Sequence, residues 1–199
     1  LLSGWKASAT LTDPMCGSGT IPIEAGLIAC NIPPGKQRQF FGFQQWRDFD
    51  EELFENVKQE ADLQIIPSPV KIMGSDISEK AVSQAKANIV KAGLRDFVSM
   101  KVADFVNINA DDDHGFVFLN PPYGERLQPG ETDKLYNIIG TTLKHNFPGT
   151  TAWLITSNKE SLKMVGLKPR EKYTLFNGAL ECILLKYEMY HGTKKQVKY

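Results

Sequence analysis

Asn120-Pro121-Pro122-Tyr123 is the stretch whose residue types point most directly to chemistry. It follows the apolar run Val117-Phe118-Leu119, which reads as a strand. The four residues therefore fall at the carboxyl edge of a sheet, where α/β folds bind ligands. Two prolines stiffen the turn and aim the Asn120 side-chain oxygen and the Pro121 carbonyl into the cleft. Acceptors so placed can grip the protons of an exocyclic amine and orient it for attack on an electrophilic methyl group. Such an amine is a poor nucleophile, because its lone pair delocalises into the ring. No strong base is required, and the stretch contains no histidine. Tyr123 offers a ring face for a base rotated out of its stack. The plain structural alternative is a rigid turn with a buried aromatic.

A second set of residues lies upstream. Asp13-Pro14-Met15-Cys16-Gly17-Ser18-Gly19 joins a strand to a helix, and glycines there let the backbone approach a ligand while the helix offers free N–H groups. The dinucleotide pattern fails, since its third glycine position holds Pro22 and no acid follows about twenty residues on. The phosphate-loop pattern is also missing. Asp76, with Ile77 after it, closes a second strand, where a carboxylate can accept both ribose hydroxyls of a nucleoside. It can equally serve the helix cap beside Ser78. Asp104 follows a third strand and can accept from an adenine amine, with Phe105 against the ring; alone, it would read as a turn residue. Three acids after three successive strands favour nucleoside binding over three unrelated turns. Cys16 reads as a small residue in the loop and not a nucleophile, since no activating neighbour is visible. His114, His145 and His191 lack metal-ligand spacing and are assigned no role.

The elements that position these residues alternate strand and helix, the signature of a parallel sheet covered on both faces. Strands are expected at 9–13, 70–75, 98–102, 116–119 and 152–156. A helix is expected over 20–30, with Pro22 in its first turn. A second begins after the Ser78 cap, with Val82, Ala85, Ile89 and Ala92 on one face and Gly93 as its stop. A third presents Leu135, Ile138, Ile139 and Leu143, and a short helix is expected near 160–165. Asn177-Gly178 between two strand-like runs predicts a type I′ hairpin, with positive φ at both central positions. Two regions interrupt the series. The segment 31–69 holds Phe40, Phe41, Phe43, Trp46 and Phe49 and then a helix over 50–62; it reads as a satellite core rather than an RNA-facing platform. Residues 124–132 form a polar loop, and the basic tail from Thr193 reads as a solvated end.

With 199 residues, 42% hydrophobic and 23% charged, the chain suits one soluble α/β domain. No apolar run is long enough to span a membrane. Three scattered cysteines make neither a disulfide framework nor a metal cluster, which points to a reducing cytoplasm. A formal charge of zero argues against tight autonomous binding to nucleic acid. Without an initiator Met, and with its first motif so close to the start, the chain reads as part of a longer protein.

The spacing of these motifs resembles that of class I S-adenosylmethionine-dependent methyltransferases, and NPPY resembles their amino-methylating branch. The strings LTDPMCGSGTIPIEA, GSDIS, LNPPYGERL and NGALECILLKYE are similar to those of the THUMP-associated RNA guanine-N2 methyltransferases, across nearly the whole chain. The resemblance implies a Rossmann-like, mostly parallel seven-stranded sheet ending in an antiparallel hairpin. It implies that Asp13 to Gly19 wraps the methionine part of S-adenosylmethionine. Asp76 and Ile77 would then hold the ribose, Asp104 and Phe105 the adenine, and Asn120 to Tyr123 the target guanine. Asn120 would also face the cofactor, no metal would take part, and the substrate would be RNA, rRNA rather than tRNA. The family's N-terminal RNA-binding regions are absent from these residues, so recognition is expected to come largely from elsewhere. Rival readings are methylation of adenine-N6 or of a protein glutamine, and a non-catalytic cofactor-binding or RNA-assembly module. A nicotinamide-dependent oxidoreductase is disfavoured by Pro22 and the missing acid.

Overall fold

A computed structural model describes residues 2–122 and 130–192 of the chain. Among the described residues, seven strands are interleaved with four α-helices. The first half comprises β1 (Leu11–Asp13), α1 (Thr20–Ala29), α2 (Glu51–Leu63), β2 (Ile72–Asp76), α3 (Glu79–Lys91) and β3 (Val98–Val102). The second comprises β4 (Phe116–Leu119), α4 (Glu131–Asn146), β5 (Thr151–Thr156), β6 (Glu171–Asn177) and β7 (Leu180–Glu188). The sheet order is β3-β2-β1-β4-β5-β7-β6, with β1 to β5 parallel and β7 antiparallel to both neighbours. This is the Rossmann-like arrangement expected from the sequence. Strand order reverses between β1 and β4, and the divergence of their connections opens a cleft at the carboxyl edge.

Each face of the sheet carries its own core. On one, Leu11, Ile72 and Val98 meet Ala25 and Ala29 of α1 and Ile89 of α3, with Trp5 and Leu94 closing the layer. On the other, Val117, Leu119, Ala152 and Leu154 pack against Tyr136, Ile139 and Leu143 of α4, and Ile183 and Leu185 of β7 join them. The Ser78 hydroxyl accepts from the Ala81 N–H, as its capping position requires. At the far end of α3, Gly93 takes positive φ and stops the helix. Between β3 and β4 the chain makes only a 3-10 turn, Phe105–Asn107, where a helix would otherwise cover the sheet. Ser99 and Lys101 are exposed on that side, and Met73 is half-buried.

Several expectations shift. β1 starts at Leu11, two residues late, and β2 runs to Asp76 rather than Ser75. The short helix near 160–165 is a 3-10 turn over Ser161–Val165. Thr132 belongs to α4 and not to the preceding loop. In α4, Ile138 faces solvent, and the fully buried stripe is Tyr136, Ile139 and Leu143. The Tyr136 hydroxyl has a buried partner in the Thr156 hydroxyl, which lets this polar aromatic occupy a core position. The hairpin turn is displaced by one residue. Asn177 pairs with Leu180, so Gly178 and Ala179 are the central pair, and only Gly178 has positive φ. A glycine at the first central position is the type II′ requirement rather than type I′.

The 31–69 insertion does form a satellite cluster. Phe41, Phe43, Phe49 and Phe54 meet with ring centroids 5.3–6.0 Å apart. The cluster is shallow, however, and no residue of α2 is buried. Residues 124–129 and the tail from Thr193 lie outside the described residues. Among the described residues, no helix is long and apolar enough to cross a membrane.

Gly140 marks where α4 lies against the turn after β5. A Cβ there would sit 1.7 Å from the Val165 carbonyl oxygen, against backbone that cannot swing away. Gly140→Ala gains about 1 kcal/mol of helix propensity. We expect a net loss of roughly 1–3 kcal/mol or more in urea unfolding, because overpacking dominates. A more stable variant would show that α4 is not seated this closely.

Candidate active site

The loop from Asp13 to Gly19 is clamped from two sides. From β2, the Ser75 carbonyl accepts from the Cys16 N–H at 2.9 Å, and Asp76 Oδ2 accepts from the Gly17 N–H at 3.0 Å. From α3, Asn88 Nδ2 donates to the Ser18 carbonyl at 3.0 Å, while Gln84 Nε2 donates to Asn88 Oδ1 at 3.1 Å. Gly19 caps α1 at φ 87°, and a Cβ there would meet Ala85 Cβ at 3.0 Å. Left-handed backbone and close approach to α3 both require glycine at this position.

The loop is one wall of a cavity of about 440 Å³ at the carboxyl edge of the sheet. Pro14, Met15 and Gly17 line it from the β1 side, Asp76, Ile77 and Ala81 from the β2–α3 side, and Asp104 and Phe105 from beyond β3. Asn120 and Pro122 enter from β4, and Leu135 of α4 completes the apolar wall. Residues separated by more than a hundred positions thus share one cleft, in the order the strands dictate.

Individual residues differ in what they present. Asp76 is half-buried; besides Gly17, its Oδ1 accepts from the Ser78 N–H at 2.9 Å. A carboxylate has about four lone-pair positions, so two acceptor sites remain. Capping and ligand-facing readings of Asp76 are therefore both compatible with its geometry. Asp104 Oδ1 accepts from the Val106 N–H at 3.2 Å, as a turn residue would, yet the side chain also borders the cavity. Phe105 is mostly committed to the core, its ring 5.6 Å from Phe147, whereas Ile77 is 70% exposed and supplies the open apolar platform. Asn120 and Pro122 are exposed and Pro121 is buried beneath them, anchoring the turn. Tyr123 lies outside the described residues.

Asp13, Cys16, Ser18 and Gly19 do not border the cavity and act beneath or behind the loop. Asp13 is 1% exposed, and its Oδ1 accepts from the Met15 N–H at 3.2 Å. Burial pushes its carboxyl up to about 7; the Asp76 charge adds to the rise and the Met15 N–H opposes it. Burial, with the Asp13 and Asp76 charges, pushes the Cys16 thiol up to about 12, so it stays protonated at neutral pH. Sequence reasoning missed Ala81 and Leu135, which look like ordinary helix positions, and also Asn88, which looks like a solvated one. Only the folded loop shows that Asn88 holds the Ser18 carbonyl.

Comparison with known proteins identifies the architecture. A family model for the RMKL-like, methyltransferase domain matches residues 1–186. The chain belongs to this RMKL-like methyltransferase domain family. Among curated relatives, the ribosomal RNA large subunit methyltransferase K/L of Shewanella sp. (strain MR-4) is 41% identical over 194 residues, covering 94% of this chain and 27% of that protein. The protein of the same name from Shewanella baltica (strain OS195) is 40% identical over 200 residues, covering 98% and 28%. This RMKL-like domain therefore spans only 27–28% of the length of these relatives. Among solved structures, SMU.472 in complex with SAH superposes with a TM-score of 0.87 at 33% identity, over 96% of this chain and 51% of that one. A predicted N6-adenine-specific DNA methylase from Listeria monocytogenes str. 4b F2365 gives 0.83 at 34% identity, over 94% and 48%.

Asp13 makes this RMKL-like domain pH-sensitive in a defined direction. Its pKa is raised on folding, so the folded state holds the proton more tightly than the unfolded chain. Its contribution to stability is present below the ordinary carboxylate range and declines as pH rises towards about 7. Asp13→Asn keeps the acceptor for Met15 and removes the titration. We expect thermal unfolding of the ligand-free variant to occur several degrees above wild type at pH 8. Near pH 4 the two should nearly coincide. A constant difference across that range would mean that Asp13 does not titrate as described.

Proposed function

We propose that this domain transfers a methyl group from S-adenosylmethionine to the exocyclic N2 amine of a guanine in RNA, with ribosomal RNA favoured. The observation that carries the reading is that Asn120, at the end of β4, opens onto the same cavity as Asp76 and Asp104. The cavity fits the cofactor chemically: a carboxylate with free acceptor sites for a ribose, a second acid for an adenine amine, and an apolar wall of Met15, Ile77 and Leu135. When bound, S-adenosylmethionine supplies the electrophilic methyl.

The chain's own residues do the positioning. Asp76 holds the ribose end, and Asp104 with Ile77 and the rim of Phe105 holds the adenine. The loop from Asp13 to Gly19 supports the methionine end, directly through Pro14, Met15 and Gly17 and indirectly through the others. Asn120 Oδ1 and the Pro121 carbonyl accept from the amine protons and hold its lone pair towards the methyl, while Pro121 and Pro122 fix the turn. Tyr123 stacks on the target base. Orientation of this kind lowers the barrier without a strong base.

The Shewanella relatives' names support the ribosomal RNA substrate. The net charge of zero supports a division of labour, in which a more basic module supplies most of the RNA affinity, and the whole acts in the cytoplasm as a catalytic domain over residues 1–199 with an insertion at 31–69. One observation favours a second reading: the Listeria neighbour's name points to adenine-N6 of DNA.

Asn120→Ala is expected to reduce methyl transfer by orders of magnitude while leaving S-adenosylhomocysteine affinity nearly intact, because the interaction matters mainly in the transition state. Equal activity would reduce NPPY to a turn. In calorimetry, folded Asp76→Ala should bind S-adenosylhomocysteine roughly 1.5–3 kcal/mol more weakly. Unchanged affinity would remove Asp76 from the ribose site. Tyr123→Ala should lose stacking worth about 1–3 kcal/mol, with Tyr123→Phe retaining most of it. Nucleoside mass spectrometry of methylated RNA should reveal N2-methylguanosine; methyl on adenine or on a protein amide would promote a rival substrate.

A further inference from the structure

The insertion between α1 and β2 carries a feature that methyl transfer does not use. It is pinned at its base, where the Ile66 N–H donates to the Cys30 carbonyl and Asn31 Nδ2 donates to the Gln64 carbonyl. Beyond that base, Phe43, Trp46, Phe49, Leu53, Phe54 and Val57 line an open groove of about 330 Å³. Trp46 is 69% exposed, Leu53 60% and Val57 54%, and Leu53 and Val57 lie one helical turn apart. Scattered apolar residues on a surface mean little, but a contiguous aromatic-lined groove marks an interaction site.

The rim identifies the occupant. Between Trp46 and Leu63 the sequence places seven carboxylates, from Asp48 to Asp62, against two cations, Arg47 and Lys58. Lys58 is already paired with Glu55, and Asp62 with Lys36. The groove's own carboxylates are Asp48 and Asp50, and among the described residues no cation pairs with either. Such a rim repels the phosphates of RNA. It disfavours a second copy as well, because a two-fold contact through this patch would set the same carboxylates against one another.

We propose that this groove docks a basic amphipathic segment of a protein partner. Apolar anchors fill the space between Trp46 and Val57, and Lys or Arg side chains meet the acidic rim. Opposite charge steers the encounter and the apolar anchors hold it, the helix-in-groove mode of recognition. Docking here is separate from the cofactor cleft, which none of these residues lines.

The test titrates the 199-residue chain with a tryptophan-free amphipathic peptide of about five helical turns, Lys on one face and Leu on the other. A Glu/Leu peptide of the same pattern and a single-stranded RNA serve as the other arms. Of the three tryptophans, Trp5 and Trp153 are buried, so a shift in emission reports on Trp46. The Lys/Leu peptide should shift that emission to the blue and bind about tenfold or more tightly than the Glu/Leu peptide. Val57→Asp should weaken it by about tenfold or more, although this variant adds negative charge; nonspecific attraction to an acidic surface would be strengthened instead. S-adenosylhomocysteine binding and thermal stability report that Val57→Asp is folded and should not change. The proposal is overturned if the Lys/Leu peptide fails to bind, binds no better than the Glu/Leu peptide, or binds Val57→Asp as well as wild type. It is also overturned if RNA shifts Trp46, or if Trp46 becomes buried through self-association.

Discussion

The carboxylate of Asp76 fastens together the three elements that make the cleft. One oxygen accepts from Gly17 in the loop after β1, and the other from Ser78 at the start of α3. The group stands at the end of β2, so a single side chain sets the height of the loop, the direction of the helix and the floor of the cavity. Its unused lone pairs remain directed to solvent or ligand. A residue with that geometry cannot be exchanged for an uncharged one without both loosening the loop and removing an acceptor.

The rest of the fold reinforces this join. The parallel pairing of β1 with β2 and β4 brings Asp13, Asp76 and Leu119 to one edge, so Asn120 arrives beside the loop although it is over a hundred residues away. Behind the loop, Ala85 admits the close approach of Gly19, and Asn88 holds the Ser18 carbonyl. Asp13 lies lower still and bonds to the Met15 amide within the same turn. Burial of that acid is costly in its charged form, which explains why its proton is held to near neutrality. The loop's shape is thus held by hydrogen bonds from β2, from α3 and from within its own turn.

Much of this was legible in the sequence where local chemistry and tertiary packing agree. β3 and β4 fall where their apolar residues place them, α3 begins at its serine cap, and the three acids follow three strands as expected. The failures share a cause. Tyr136 displaces Ile138 from the core because a partner hydroxyl from β5 satisfies it, and no pattern within α4 announces that partner. The hairpin moves by one residue because pairing of Asn177 with Leu180 takes Asn177 into the ladder. Asp13 closes a strand as expected, but both faces of β1 are covered, and the overlying loop buries its carboxyl with the rest of the strand. Phe105 reads as a ring against the adenine; it does border the cavity, but most of it is drawn into the core beside Phe147. The Asn88 contact spans 70 residues and has no local signature.

The most direct measurement of the central claim, that one cleft gathers β1, β2, β3 and β4 around a nucleoside, is a crystal structure of this chain with S-adenosylhomocysteine. The account predicts density in the 440 Å³ cavity, with the ribose hydroxyls within hydrogen-bond distance of Asp76, the adenine between Ile77 and Asp104, and the sulfur facing Asn120. Density instead on the open side of β2 and β3, in the smaller cavity lined by Met73, Ser99 and Lys101, would contradict it.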